Sequence, residues 1–305
     1  MLRHVCKSEK YIRVEILLNL HMNIIFADAH CHFNPIYGLG AREIARRFKR
    51  VNGWFIAFIG LSPHHYGMDL TLDNYFRAHE IAIKECKRAR EEGLEIACFV
   101  GLHPADIDKL VNVKKLKLEE VLNFLDKVID HVVKLFKEGE VNGIAEIGRQ
   151  HYKTEPQFLV LANLILDKVL ELVKDYNMIT HLHLEQAGYI TILDIIKRVS
   201  RLGVPREKIL IHHARPGTLE HAISSDLIAS TPGIEPVLRI AMNFEPKYLI
   251  ESDFIDDPKR PGIVVEPWKM IEYELKIMRE KNLNEDYLWK VNVDNIVKFY
   301  NVNVP

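Results

Sequence analysis

The stretch "FADAHCHFN", residues 26–34, decides how the rest of the chain is read. An apolar run (Ile24, Ile25, Phe26, Ala27) stops at Asp28, His30 and His32, three polar residues of one parity. Side chains alternate along a strand, so these three share a face and Cys31 points the other way, into the wall. A buried strand that ends in two imidazoles on one face can bring both to a single cation. Cys31, on the opposite face, is not expected to be a ligand.

Working outward, the same form recurs. Apolar strand-length runs are expected at 23–29, 54–60, 95–101, 143–147, 178–184, 208–212, 226–230 and 247–252. Most are continuous rather than alternating, as a parallel sheet buried on both faces requires. Helical patterns fall between them, at 72–92, 118–138, 155–176, 187–201, 234–243, 266–281 and 284–302. Eight such alternations predict a single (β/α)8 TIM barrel, a fold of about 250 residues, with an open doubly wound sheet as the runner-up.

In a barrel, chemistry sits where strands end. The strand ends offer Asp28, His30 and His32; His103 in "GLHP"; Glu146 in "IAEIGRQHY"; His181, His183 and Glu185 in "THLHLE"; His212 and His213 in "IHHARPG"; and Glu251 and Asp253 in "ESDFIDD". One histidine at a strand end is ordinary. His4, His21, His79, His131 and His221 get only that structural reading. Histidines or carboxylates closing four or more converging strands are not a coincidence of that kind. Imidazoles with carboxylates and no thiolates suit zinc, manganese, iron or cobalt. There are more ligands than one tetrahedral ion needs, so two divalent ions sharing a carboxylate are expected.

Bulk properties narrow the classes. The 305 residues carry a net charge of −1, so no global basic field draws in nucleic acid or an anionic membrane. The cluster Arg42, Arg46, Arg47, Lys49 and Arg50 has helical spacing and reads as a solvated face. No apolar run approaches the roughly 20 residues of a membrane span. Cys6, Cys31, Cys86 and Cys98 form no CxxC pair and no disulfide framework is expected, which favours a reducing cytoplasm. Residues 1–21 read as a peripheral extension, or Met22 as the natural start, so 22–305 is taken as a single barrel domain.

The ordered motifs "DAHCH", "VGLHPAD", "IAEIGRQHY", "LHLE", "IHHARPG" and "ESDFIDDPKRPG" resemble the TatD branch of the metal-dependent hydrolases in the amidohydrolase (urease) superfamily, and within it an archaeal subgroup. The resemblance implies a binuclear centre held by His30, His32, Glu146, His183, His212 and Asp253, with His213 the alternative to His212. Glu146 would bridge the ions and Asp253 would be the catalytic proton carrier. Zinc comes first as the metal, with manganese, magnesium, iron or cobalt as alternatives. His103, Arg149, His151, Glu185 and Arg215 are expected at the substrate, and Arg260 as a further anion contact. The loops Ser62–Gly67 and Asp256–Gly262 are expected to overhang the mouth, and Asp28 to orient a ligand histidine.

The better-known TatD nucleases read "GLD" after the fourth-strand glutamate and "HSR" after the fifth strand. Here Arg149-Gln150-His151 and His183-Leu184-Glu185 stand there, so an acid replaces an arginine suited to phosphate. Phosphodiester (DNase-type) hydrolysis is the first functional expectation and amide or ester hydrolysis of a small molecule the second. A non-catalytic metal-binding scaffold is the weakest. Small-molecule and nucleic-acid substrates both stay open. Phosphotriesterase-like relatives bridge their metals with a carboxylated lysine, which this fourth strand lacks.

Overall fold

The structure, a computed structural model, describes residues 24–259 and 264–304. The expectations for residues 1–21, Met22, His4, His21, Cys6 and Arg260 lie outside the described residues. Eight strands form one parallel set in chain order: β1 Phe26–His32, β2 Gly53–Ile59, β3 Glu95–Val100, β4 Gly143–Gly148, β5 Ile179–His183, β6 Ile209–Ile211, β7 Ile228–Pro232 and β8 Leu249–Glu251. The chain just after β8 closes the ring on β1. Asp253 N donates to His30 O at 2.9 Å, and His32 N donates to Phe254 O at 2.8 Å. The fold is a (β/α)8 TIM barrel.

These closing bonds explain one departure from the expected boundaries. Pairing carries β1 past Ala29 and through His32, with a register shift between Asp28 and Cys31. The expected parity holds only past that shift: Ala27 and Ala29 face the inner layer, then the alternation breaks and His30 and His32 turn to the mouth. Cys31 packs outward with Phe33 and Phe58 in the layer between strands and helices.

The helices are α1 Gly40–Lys49, α2 Leu72–Arg90, α3 Ala105–Asn112, α4 Leu118–Lys137, α5 Pro156–Tyr176, α6 Tyr189–Leu202, α7 Pro216–Ser224, α8 Glu235–Ala241 and α9 Pro267–Glu280. The short α3 and α7 follow the "GLHP" and "HHARPG" turns. The expected final helix is broken into α10 Glu285–Trp289, a π-helical turn Lys290–Asp294 and α11 Asn295–Tyr300. The basic cluster lies on α1, where Arg46 and Arg47 pair with Glu43.

Two hydrophobic layers result. The outer one packs helices on strands. The inner one fills the barrel with Ala27, Phe55, Ala97, Phe99, Ala145 and Leu210, and Phe299 and Tyr300 of the C-terminal segment pack into it. Trp54 Nε1 donates to Asn292 O at 3.0 Å, fastening that segment across the strand starts, opposite the mouth.

The cysteine expectation needs correction. Cys86 on α2 and Cys98 on β3 are joined as a disulfide, with Cα atoms 6.0 Å apart. The helix lies directly against its own following strand, so a pair twelve residues apart meets without any CxxC spacing. The cysteines therefore no longer argue for a reducing compartment.

Candidate metal centre

Strand ends bring the expected ligands together. Nε2 of His30, His32 and His212 lie 3.5, 3.5 and 3.4 Å from one atom, Glu146 Oε1. Asp253 Oδ1 is 3.8 Å from His32 Nε2 and 4.0 Å from His212 Nε2, and His183 Nδ1 is 3.8 Å from Glu146 Oε1. Two ligand atoms bound tetrahedrally at about 2.0–2.1 Å would lie about 3.3–3.4 Å apart. These spacings leave room for a cation between the atoms and are too long for strong direct hydrogen bonds.

The outer ring nitrogens fix where the lone pairs point. His32 Nδ1 donates to Ile59 O at 3.2 Å and His212 Nδ1 donates to Glu251 Oε2 at 2.9 Å, so Nε2 of each faces inward and is the nitrogen that a bound cation would find, its proton displaced. His30 Nε2 and His183 Nε2 are buried and have no hydrogen-bond partner. His30 Nε2, an orphaned imidazole nitrogen 3.5 Å from the buried Glu146 carboxylate, fits a divalent cation.

Electrostatics agree. Burial opposes the charge on Glu146, but the neighbouring His32, His183, His212 and His30 outweigh it and hold its carboxyl well below the usual range. Burial, followed by the His212 charge, keeps His30 neutral, and burial with the His103 charge pulls His183 down to about 3. Asp253 is pushed up to about 7, chiefly by burial, with Glu251 and Glu146 adding and His212 and His32 opposing.

Glycines allow the crowding. A Cβ on Gly101 would lie 1.8 Å from Ala145 O, so the "GLHP" turn can press against β4 only without a side chain. Gly148 has φ of +154° and faces His183 O, where a Cβ would lie 1.9 Å away.

The consecutive histidines are not equivalent. His212 stacks on His30 with ring centroids 3.7 Å apart and faces Glu146 and Asp253. His213 has φ of +45°, which breaks strand alternation and turns its ring to the same mouth. There its Nε2 meets His183 Nδ1 at 3.3 Å and its Nδ1 accepts from Gln186 Nε2 at 3.1 Å.

His103, His151 and Arg215 line the mouth, a cleft of about 1170 Å³. Ser62, His64, His65 and Gly67 of one expected overhang line it too, as do Asp257 and Lys259 of the other. Arg149 and Glu185 do not fit their expected place at the substrate. Arg149 Nε and Nη2 bond Glu185 at 2.7 and 2.9 Å, and Arg149 Nη1 bonds Asp194. Two residues that depart from the nuclease pattern thus satisfy each other. Asp28 Oδ1 accepts from the backbone of Ser252 (2.8 Å) and His30 (3.2 Å), so it ties β1 to β8 rather than orienting a ring. Glu251, Ser230 and Lys109 were not singled out for the site. Only the strand-end position of Glu251 gave any signal.

Residues 27–301 match the family described as TatD related DNase. The chain belongs to this family. It is 26% identical over 281 residues to the uncharacterized protein MJ1127 of Methanocaldococcus jannaschii, covering 91% of this chain and 96% of the relative. It is 28% identical over 237 residues to the uncharacterized metal-dependent hydrolase MJ0761 of the same organism, covering 74% and 82%. Among solved structures, the TatD-like protein AF1765 from Archaeoglobus fulgidus is similar at TM-score 0.61 and 17% identity, covering 91% of this chain and all of that one. The family and the His/Glu/Asp groups together make this TatD-family chain a metal-dependent hydrolase by descent.

Proposed function

We propose that the chain hydrolyses phosphodiesters with two divalent metal ions, zinc first among them. The observation that carries the reading is the convergence of His30, His32 and His212 on Glu146 Oε1, with Asp253 beside them. His30, His32, Glu146 and Asp253 would hold one ion, with His212 beside it. Glu146 and His183 would hold the other. Bound divalent ions supply a nucleophilic water at neutral pH and polarise the scissile oxygen.

The chain's own groups do the rest. Asp253 accepts the proton of the attacking water and returns it to the leaving group. Ala105 N donates to His103 Nδ1 at 3.0 Å, so the neutral His103 ring carries its proton on Nε2. That nitrogen can donate to developing negative charge. Arg215 and Lys259 line the same mouth as cationic groups that could meet a phosphate, and Lys109 lines it with its ammonium paired to Asp106 Oδ1 at 3.1 Å.

Amide or ester hydrolysis is the second reading. It is favoured by Glu185, which stands where nuclease relatives carry an arginine and is itself neutralised by Arg149. Turnover of bis-(p-nitrophenyl) phosphate against p-nitrophenyl acetate separates the two, on protein whose metal content is measured by elemental mass spectrometry. Preference for the diester with about two ions per chain supports the first reading. Preference for the acetate replaces it with the second.

A further inference from the structure

His30 has its outer nitrogen against another histidine, where His32 and His212 have a carbonyl and a carboxylate. His30 Nδ1 lies 3.0 Å from His181 Nδ1. Two ring nitrogens at that distance share one proton, and either ring could own it. The neighbours of His181 decide which. Tyr300 O–H donates to Ala29 O at 2.8 Å, and a carbonyl can only accept. The Tyr300 oxygen, its own proton committed, therefore accepts from His181 Nε2 at 3.2 Å. A neutral imidazole protonated at Nε2 has a bare Nδ1. His181 Nδ1 must then accept the proton of His30 Nδ1, and His30 Nε2 is left as a lone pair. That is the buried, partnerless atom 3.5 Å from Glu146 Oε1.

We propose that His181 and Tyr300 are positioning residues that fix the tautomer and orientation of His30 for metal binding. The proton order is set from Ala29 O, through Tyr300 and His181, to His30. The proposal rests on the metal-centre reading above. His181 does not bind the ion, because both of its nitrogens are occupied below the ligand layer. Its ring is fully buried against Phe99, with centroids 4.4 Å apart. The arrangement also gives the C-terminal segment a task. Tyr300, the last residue of α11, reaches through the inner core to the middle of β1 and β5, at Ala29 and His181.

The test compares two near-isosteric variants. His181→Asn places an amide oxygen close to where Nδ1 stands, and His181→Leu fills similar space with no acceptor. Affinity for Zn²⁺ is measured by competition with a chromophoric chelator, and the tautomer of His30 by long-range ¹H–¹⁵N correlation on the metal-free protein. His181→Leu is expected to weaken Zn²⁺ binding by about 10–100-fold, and His181→Asn to stay within about threefold of the unmodified chain. Tyr300→Phe is expected to leave His30 a mixture of tautomers. Equal loss in the Leu and Asn variants would assign His181 to packing and overturn the proposal. So would an unchanged His30 tautomer in both His181→Leu and Tyr300→Phe. An unmodified chain that binds no Zn²⁺ would instead overturn the metal-centre reading, while the tautomer measurement would still judge the hydrogen-bonded chain.

Discussion

Glu251 holds two consecutive histidines at once: its Oε2 is 2.9 Å from His212 Nδ1 and its Oε1 accepts from His213 N at 2.7 Å. Ser230 Oγ donates to the same carboxylate, which is fully buried. Burial works against a charged His212, but the Glu251 charge and the bonds from Glu146 and Glu251 prevail and raise its pKa well above 6.5. Glu251→Gln has one acceptor oxygen where three donors converge. It is expected to cost about 1–3 kcal/mol of stability and to weaken metal binding by about 10–100-fold. Urea unfolding and chelator competition read the two effects separately. Unchanged metal affinity would mean that Glu251 serves the fold alone.

Asp253 is close enough to His32 and His212 to share an ion with them, and it faces the mouth. Asp253→Asn keeps the shape and removes the base. Turnover of the preferred substrate is expected to fall by about 10²–10⁴-fold. The circular dichroism spectrum and unfolding midpoint should stay close to those of the unmodified chain. A variant with near-normal kcat would take the proton-carrying role away from Asp253.

Much of this was legible in the sequence, for a physical reason. Strands buried on both faces leave continuous apolar runs, and polar residues that end such runs stand out. His30, His32, Glu146, His183, His212 and Asp253 were visible in this way. Of the outer support, His181 and Glu251 were visible only as strand-end residues and their roles were not. His181 and Tyr300 meet across 119 residues of chain, and a buried tyrosine in a C-terminal helix reads as ordinary core. His212 and His213 could not be ranked, because the left-handed backbone at His213 cancels the parity rule. The Cys86–Cys98 pair was missed because its closeness comes from helix-on-strand packing rather than from local spacing.

The Arg149–Glu185 pair tests whether departures from the nuclease pattern belong to the fold or to the substrate. Arg149 is largely buried, and Glu185 also accepts from Thr191 Oγ1 at 3.0 Å. A double-mutant cycle with Arg149→Leu and Glu185→Leu should give a coupling of about 1–3 kcal/mol in stability. KM for the preferred substrate should move by less than about threefold, a change worth under about 0.7 kcal/mol. A large rise in KM with little loss of stability would return both residues to the substrate site.

Glu274 carries the clearest pH prediction away from the mouth. It lies fully buried on α9, and Asn292 Nδ2 donates to its Oε2 at 2.7 Å while Oε1 has no partner. Burial, with a smaller push from Asp28 and against the Asn292 bond, raises its pKa from 4.5 to about 8. The folded chain therefore holds this proton between about pH 4.5 and 8, where the unfolded chain has released it. Because the native state binds more protons in that window, stability falls as pH rises through it. The contribution is fully present below about 4.5 and lost as pH passes about 8. Glu274→Gln keeps a neutral group of the same size and removes this dependence. Urea midpoints at pH 5 and pH 8.5 should therefore lie farther apart in the unmodified chain than in the variant, with the variant the more stable at the higher pH. Equal slopes in both would show that Glu274 titrates alike in the folded and unfolded chain.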